Sequence, residues 1–495
     1  MKRPASGKVN RRASLHAASA FGALLAAAAI FAGCALGPDY QRPSTPVPAE
    51  FRHDPAPYTT NALSDLPWWQ VFRDPALRDL IATALTNNYD IRIAVSRVEQ
   101  SRQMAAQARA QYFPAIGYQA EASRGKNEFN GSAAPGEPLL ATRGEMVIGA
   151  TWELDLWGRL RRLNEAARAQ FLASEQGRRG IRLSLVSDLA ADYFELLELD
   201  KELEIASRAT NSFGDSLKLF GQRLKGGVAS KLETSTAAGA LAASASQLPE
   251  LELQIALKEN QINYLLGRMP GHVPRGAILY DQTGPPEVPS GLPSSLLERR
   301  PDIMQAEQLL RAANAQIGVT EANMFPKIGL TALLGKASLD LSSVADGSAN
   351  VFALGANATG PIFQGGLLRA AYRQAKAARE EARLQFQQTT LFAFQDVSNA
   401  LMTREQHIHV RVEQERAVSA YEEAVKVSMQ RYVAGRASYY EVLQAQQQLF
   451  PAEDALARTR LNQLLGMVAL YKALGGGWQL SESEWISFHP VAKPN

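Results

Sequence analysis

The stretch Tyr112-Phe113-Pro114-Ala115-Ile116-Gly117 returns as Met324-Phe325-Pro326-Lys327-Ile328-Gly329, a displacement of 212 positions (326 minus 114). At that displacement Asp90 and Ile91 fall on Asp302 and Ile303, Ala94 on Ala306, and Ala110 on Ala322. Further on the displacement is 208 (366 minus 158): Gly158 pairs with Gly366, Asp188 with Asp396, Arg223 with Arg431, and Glu233 with Glu441. A four-residue difference (212 minus 208) in one loop, between Gly117 and Gly158 of copy one, reconciles the two. A period this long marks a duplicated domain, not a solenoid of short repeats.

The quoted stretch is also where the hydrophobic period changes. Asp90 to Gln111, rich in Ala, Arg and Gln with no breaker, predicts a helix that Pro114 stops. Beyond it Ile116, Tyr118, Ala120 and Ala122 alternate with Gly117, Gln119, Glu121 and Ser123, a strand with one apolar face. After a loop rich in Gly, Asn and Pro, Met146, Ile148, Ala150, Trp152 and Leu154 repeat the alternation. Copy two does the same through Ile328, Leu330, Ala332 and Leu334, then Phe352, Leu354, Ala356 and Ala358. Pro114 and Pro326 stand at strand starts, where a missing N–H is tolerated.

Each strand pair leads into a long run without proline, Gly158 to about Lys225 and Gly366 to about Val433, both helical in composition. Leu183, Val186, Ala190, Tyr193 and Leu197 recur at three-and-four spacing, a coiled-coil-like seam. Roughly 65–70 helical residues reach roughly 100 Å at about 1.5 Å each, so these helices must pack along their sides. Each run ends in glycine (Gly226-Gly227, Gly435) followed by S-x-x-E (Ser230 to Glu233, Ser438 to Glu441). A left-handed stop and a capping box predict a tight helical hairpin at both places. The returning helices, from Leu232 and Val442, are expected to break at Pro249 and Pro451. Residues after Gly475-Gly476-Gly477 read as a short irregular tail, and the proline-rich segment before Trp68-Trp69 as extended surface chain.

Lys2, Arg3, Lys8, Arg11 and Arg12 precede an apolar stretch from about Ala17 to Ala32, with no acid before Asp39: a secretory signal. It ends in Phe31-Ala32-Gly33-Cys34, and Cys34 is the only cysteine. Small residues before a cysteine resemble a bacterial lipobox, so Cys34 is the expected acylated first residue of the mature chain. Ala35 is not the aspartate of an inner-membrane retention signal. Without the five signal charges the balance is 47 basic (52 minus 5) against 49 acidic, which argues against a nucleic-acid partner. No other stretch is apolar enough for a spanning helix, so a membrane crossing must use strands.

Four amphipathic strands cannot close a barrel, and open edges cannot exist in lipid. Several chains must therefore share one barrel, and three chains of four strands make twelve. The expected division is a signal at 1–33, a lipidated extended segment at 34–67, a first repeat at 68–270, a linker at 271–295, a second repeat at 296–475 and a tail at 476–495. A soluble antiparallel sheet on a helical body is the alternative, and the lipid anchor and helix length weigh against it.

The chain resembles the outer membrane factor family, the TolC-like outer-membrane channels, and within it the lipoprotein branch serving efflux pumps. The matching stretches are 34–40 (CALGPDY) with Arg42 and Pro43, Trp68-Trp69 with Phe72, 152–158 (WELDLWG), 291–303 (GLPSSLLERRPDI) and 360–366 (GPIFQGG). The resemblance implies a mixed fold: a homotrimeric β-barrel in the outer membrane continued by a long α-helical coiled-coil barrel across the periplasm. It also implies docking to a periplasmic adaptor protein and an inner-membrane, proton-driven pump, with export of drugs or toxic compounds. Metal efflux and protein or peptide secretion stay open within channels. A non-conducting scaffold lipoprotein is a further class, although it has no need of amphipathic strands.

By the same resemblance, acids on the returning helix line the narrow periplasmic end. Glu441 matches one, Gln444 lies one turn on where the family often has another, and Glu233 matches an acid that helps hold the closed state. Ala437 stands where some members carry a basic latch partner, so the latch is expected to be lost or moved to Arg436. At the turns Val228, Ala229, Arg436 and Ala437 project furthest, so the adaptor is expected to contact 223–230 and 431–438, with Arg223, Gly227, Ser230, Arg431, Gly435 and Ser438 as the contact residues. An enzyme is not expected. His407 and His409 lie two apart on a helix and face apart, and Gly365-Gly366 and Gly475–Gly477 lack the lysine and spacing of a phosphate loop. No catalytic residue, metal or cofactor is expected beyond the lipid on Cys34.

Overall fold

Both sequence copies fold in the same order: helix, two strands, long helix, return. The computed structural model describes residues 35–48, 51, 63–126, 140–282, 293–338, 344 and 349–486. The signal and Cys34 lie outside the described residues. Leading into copy one are α1 (Trp68–Val71) and α2 (Pro75–Asn87); copy one is then α3 (Tyr89–Ala110), β1 (Ala115–Lys126), β2 (Leu140–Leu154), α4 (Arg159–Lys225), α5 (Lys231–Ala245) and α6 (Gln247–Leu265). Copy two is α7 (Leu296–Arg299), α8 (Pro301–Ala322), β3 (Lys327–Ser338), β4 (Asn350–Thr359), α9 (Leu367–Val433) and α10 (Tyr439–Ala473), followed by α11 (Glu482–Ile486).

The strands form one antiparallel sheet in the order β1-β2-β3-β4, so the hairpin of each copy joins the other through β2 and β3. The register sets Tyr118 opposite Ile148, Ile148 opposite Leu334, and Leu334 opposite Phe352. Because side chains alternate faces, this register puts the apolar set of every strand on one face.

The chain packs as two units, each drawn from both copies: Met1–Pro43, Val98–Ser174 and Ala306–Phe386 in one, Ser44–Arg97, Glu175–Gln305 and Gln387–Asn495 in the other. In the first, the segment from Ala35 is strapped down. The Leu36 amide donates to the Trp157 carbonyl at 3.0 Å, and the buried Arg162 donates to the carbonyls of Leu36 (3.0 Å) and Gly37 (3.1 Å) and to Asp39 (2.8 Å). Gly37 takes φ +90°, and a Cβ on Gly318 would strike the Leu36 carbonyl, so the strap needs glycine on both sides.

The second unit holds the main core, with Trp68, Phe72, Ile81, Val186, Tyr193, Ile262, Leu464 and Tyr471 buried together. Its polar knot is Asp74. One oxygen caps α2 by accepting from the amides of Ala76 (2.8 Å) and Leu77 (3.4 Å). The other accepts from the Tyr193 hydroxyl (3.0 Å), the Ala277 amide (3.0 Å) and the Gln282 side chain (2.7 Å). The inter-repeat segment is thus tied to α2 and α4. Arg300, from the GLPSSLLERRPDI stretch, is buried between Asp302 (2.7 Å) and Asp396 (3.1 Å) and donates to the Ala473 carbonyl.

α10 lies antiparallel to α4: Lys472 meets Asp188, Arg458 meets Glu202, Arg208 meets Glu453, Gln446 meets Ser212, and Tyr439 meets Phe220. It also contacts α9, where the His407 carbonyl accepts from Gln463 at 3.0 Å.

Three local expectations are corrected. α10 does not stop at Pro451 but runs through it. A proline there removes only the bond to the Gln447 carbonyl, and helices packed on both sides hold the rest. The break in copy one comes at Ser246, not at Pro249, which sits in the first turn of α6, where its missing N–H has no partner to lose. The tail is not irregular throughout: α11 seats Trp485 in the core.

Asp74→Ala should take the acceptor from the buried Tyr193 hydroxyl and the half-buried Ala277 amide and remove the cap of α2, lowering stability by about 2–3 kcal/mol. Gly276→Ala, whose Cβ would strike Asp74, should act in the same direction. Urea unfolding followed by tryptophan fluorescence measures both, and an unmoved midpoint in Asp74→Ala would refute the knot.

Candidate functional site

Two regions carry chemistry suited to a membrane channel. The first is the sheet. Ile116, Tyr118, Met146, Ile148, Leu334, Phe352 and Leu354 are 60–87% exposed, all on one face. The other face offers Gly117, Gln119, Glu121, Gly149, Thr151, Glu153, Gly329, Thr331, Gly355 and Asn357, with Val147, Leu333 and Val351 as its larger apolar members. An exposed apolar band backed by small and polar residues is the pattern of a barrel wall with lipid on one side and water on the other. Aromatic residues gather where the strands begin and end: the Trp152 indole donates to the Tyr112 carbonyl (2.9 Å) and the Trp157 indole to the Pro326 carbonyl (2.7 Å). Trp157 also lies on Phe325, ring centres 4.9 Å apart. Amphipathic rings of this kind favour the membrane–water boundary. β1 and β4 each pair on one side only among the described residues.

The second region is the pair of helical turns. At the first, the Gly227 amide donates to the Leu224 carbonyl (3.0 Å) and the Val228 amide to the Arg223 carbonyl (2.9 Å), with Gly227 at φ +71°. At the second, Gly435 donates to Tyr432 (3.0 Å) and Arg436 to Arg431 (2.8 Å), with Gly435 at φ +72°. Both are Schellman stops, which require the left-handed conformation that glycine adopts without strain.

The two S-x-x-E sequences then part company. Ser230 and Glu233 close a full capping box, the Ser230 amide donating to the carboxylate at 2.6 Å and the Glu233 amide to the serine hydroxyl at 3.2 Å. Ser438 makes no side-chain cap, and the Glu441 carboxylate lies 3.6 Å from Arg431. The difference traces to the arginines. Arg223, the counterpart of Arg431, stacks on the Tyr432 ring at 4.7 Å and leaves Glu233 free to cap. The expected latch position, Arg436, is not the basic group beside Glu441; Arg431 is. Glu441 and Gln444 are both exposed.

Beneath the turns Phe220, Tyr432 and Tyr439 form a buried aromatic triad that clamps one hairpin to the other, with Phe220 and Tyr439 centroids 4.0 Å apart. Burial, then the neighbouring Tyr432, pushes the Tyr439 hydroxyl up to about 12. The sequence reading passed over this triad. Local sequence does not mark it, because Tyr439 is followed by Tyr440, which is exposed.

An outer-face apolar sheet with open edges, on a duplicated chain with two helical hairpins, has clear relatives. The family model described as outer membrane efflux protein matches residues 80–268 and 292–476. This chain belongs to that family. The toluene efflux pump outer membrane protein TtgC of Pseudomonas putida is 35% identical over 92% of this chain and 95% of its own. The cation efflux system protein CusC of Escherichia coli is 31% identical over 90% of this chain and 96% of its own. Among solved structures, the outer-membrane channel OprN superposes with a TM-score of 0.84 at 31% identity, over 90% of this chain and all of that one. As an outer membrane efflux protein, the chain is an outer-membrane component of an efflux system that reaches into the periplasm, in a family of transport channels.

Within this family member the apolar strand face should be the part least tolerant of charge. Ile148→Lys or Leu334→Lys should cost about 2–4 kcal/mol of folding in the bilayer, whereas Thr151→Lys on the opposite face should cost much less. Folded yield in liposomes, read by heat-modifiable gel mobility, compares them; equal losses at all three positions would contradict the assignment of faces.

Proposed function

We propose that three copies of this chain close one twelve-stranded barrel and form the exit duct of a tripartite efflux system. The observation that carries the trimer is the pair of open edges, β1 and β4, on a sheet whose apolar face suits lipid. The duct receives solute from a periplasmic adaptor and a proton-driven inner-membrane pump and performs no catalysis. The relatives named for toluene and antibiotic efflux, at 35% identity, favour organic solutes over the metal cations of the 31% relative. Cys34 carries the lipid anchor, one residue before the strapped segment begins. The adaptor meets the turns at Arg223, Gly227 and Ser230 and at Arg431, Gly435 and Ser438. Glu441, with Gln444 one turn on, faces the solute path, and Glu233 supports the first hairpin through its cap.

Native mass spectrometry in mild detergent tests the assembly and the anchor together. Three chains with an acyl adduct on a mature terminus at Cys34 are expected, and a stable monomer or dimer would overturn the shared barrel.

Because Arg431 lies beside Glu441, the two substitutions should move ion selectivity in opposite directions in planar-bilayer recordings. Glu441→Ala should lower cation preference and Arg431→Ala should raise it. Unchanged selectivity in both would take Glu441 off the solute path.

A further inference from the structure

The contact between α4 and α10 holds more acid than base. Glu198 and Glu202 stand one turn apart on α4, and Glu453 and Asp454 come from α10. Arg458 reaches Glu202 at 2.7 Å but Glu198 only at 3.7 Å. Arg208 reaches Glu453 at 3.0 Å and Glu204 at 4.0 Å. Four carboxylates therefore share two guanidinium groups, one of which Glu204 also draws on. The side chains of Glu198 and Glu453 are only 7% and 8% exposed. Glu198 Oε1 and Asp454 Oδ1 are buried with no hydrogen-bond donor among the described residues.

From the inter-repeat segment, Tyr280 lies near Glu453 and Glu204, with Lys201 5.2 Å and Arg460 6.0 Å from its ring. Arg460 is itself 3.7 Å from Glu415 on α9. Among the described residues neither Lys201 nor Arg460 forms an ion pair with Glu198 or Asp454, which leaves Arg458, 3.7 Å from Glu198. Burial, then Glu202, pushes Glu198 up to about 8. Burial, then Glu202 and Glu453, pushes Asp454 up to about 6.

Immediately before the cluster α10 contains Pro451, so the bond to the Gln447 carbonyl is missing one turn from these acids. The weakest turn of α10 thus adjoins the part of its surface that loses most when protons leave.

We propose that the Glu198, Glu202, Glu453 and Asp454 cluster is a proton-operated fastener between α4 and α10, with Pro451 as the hinge for the segment from Tyr439 to Phe450. Protonated Glu198 can donate to Glu202, and two neutral acids remove the repulsion across the contact. Both groups hold their protons more tightly in the closed contact than in open chain. The stabilisation is therefore complete below the ordinary carboxylate range and fades as pH rises, through about 6 for Asp454 and then about 8 for Glu198. The fastener stands apart from the channel reading, because it is read in backbone exchange and not in transport.

Hydrogen exchange followed by mass spectrometry on the full assembled protein tests it. After correction for the intrinsic base-catalysed rate, exchange at 447–458 should rise about tenfold or more from about pH 5 to about pH 9. The acid-free run 387–395 of α9 serves as the control and should not follow. In Glu198→Gln with Asp454→Asn the rise should vanish. Exchange at 447–458 that tracks the control in the unsubstituted protein would overturn the proposal, whether or not the double variant folds. A rise that survives in a folded double variant would overturn it as well.

Discussion

Backbone polar groups cannot be left bare in hydrocarbon, and a sheet with two free edges has a row of them on each side. That constraint governs the rest of the molecule. It makes four strands insufficient alone, while lipid on one side and water on the other account for one apolar face and one mostly small or polar face. The duplication supplies the two hairpins, and β2–β3 pairing makes them one sheet. The two long helices, each 67 residues, follow β2 and β4 in the chain.

Duplication did not produce two equal halves. Copy one returns in two pieces, α5 and α6, whereas copy two returns in one helix through Pro451. That unbroken helix packs on the long helices of both copies. Identical short motifs then diverge with their neighbours. Ser230 to Glu233 and Ser438 to Glu441 read the same in sequence, yet one closes on itself and the other turns to an arginine. A capping box and an exposed ion pair are each worth about 1 kcal/mol or less, so the neighbours of each glutamate decide which forms.

Much of this was legible in the sequence because it rests on period. The strand faces, the long helices and the glycine stops follow from alternation, three-and-four spacing and the left-handed conformation, all local properties. What escaped was set by distant partners. A local rule finds in Asp74 only a helix cap, because Ala277 and Gln282, which share its second oxygen, lie some 200 residues on. Pro451 looked like a break because no local rule reports helices packed on both sides. The aromatic triad, the Arg431 partner of Glu441 and the acid excess between α4 and α10 all require knowing that copy two's return helix lies along copy one's long helix. Nothing in residue spacing states that pairing.

The central seam of the sheet has a consequence for biogenesis. Val147 pairs with Gly335, a separation of 188 residues (335 minus 147). A chain threaded from its N-terminus therefore delivers the first hairpin well before its partner strand exists. Loop closure over such a distance is slow compared with hairpin formation. In the interval the β1–β2 ribbon carries a fatty side and an unpaired flank through an aqueous compartment, the condition under which polypeptides stick to one another. The register thus leaves half a wall to be kept from other chains until the other half follows.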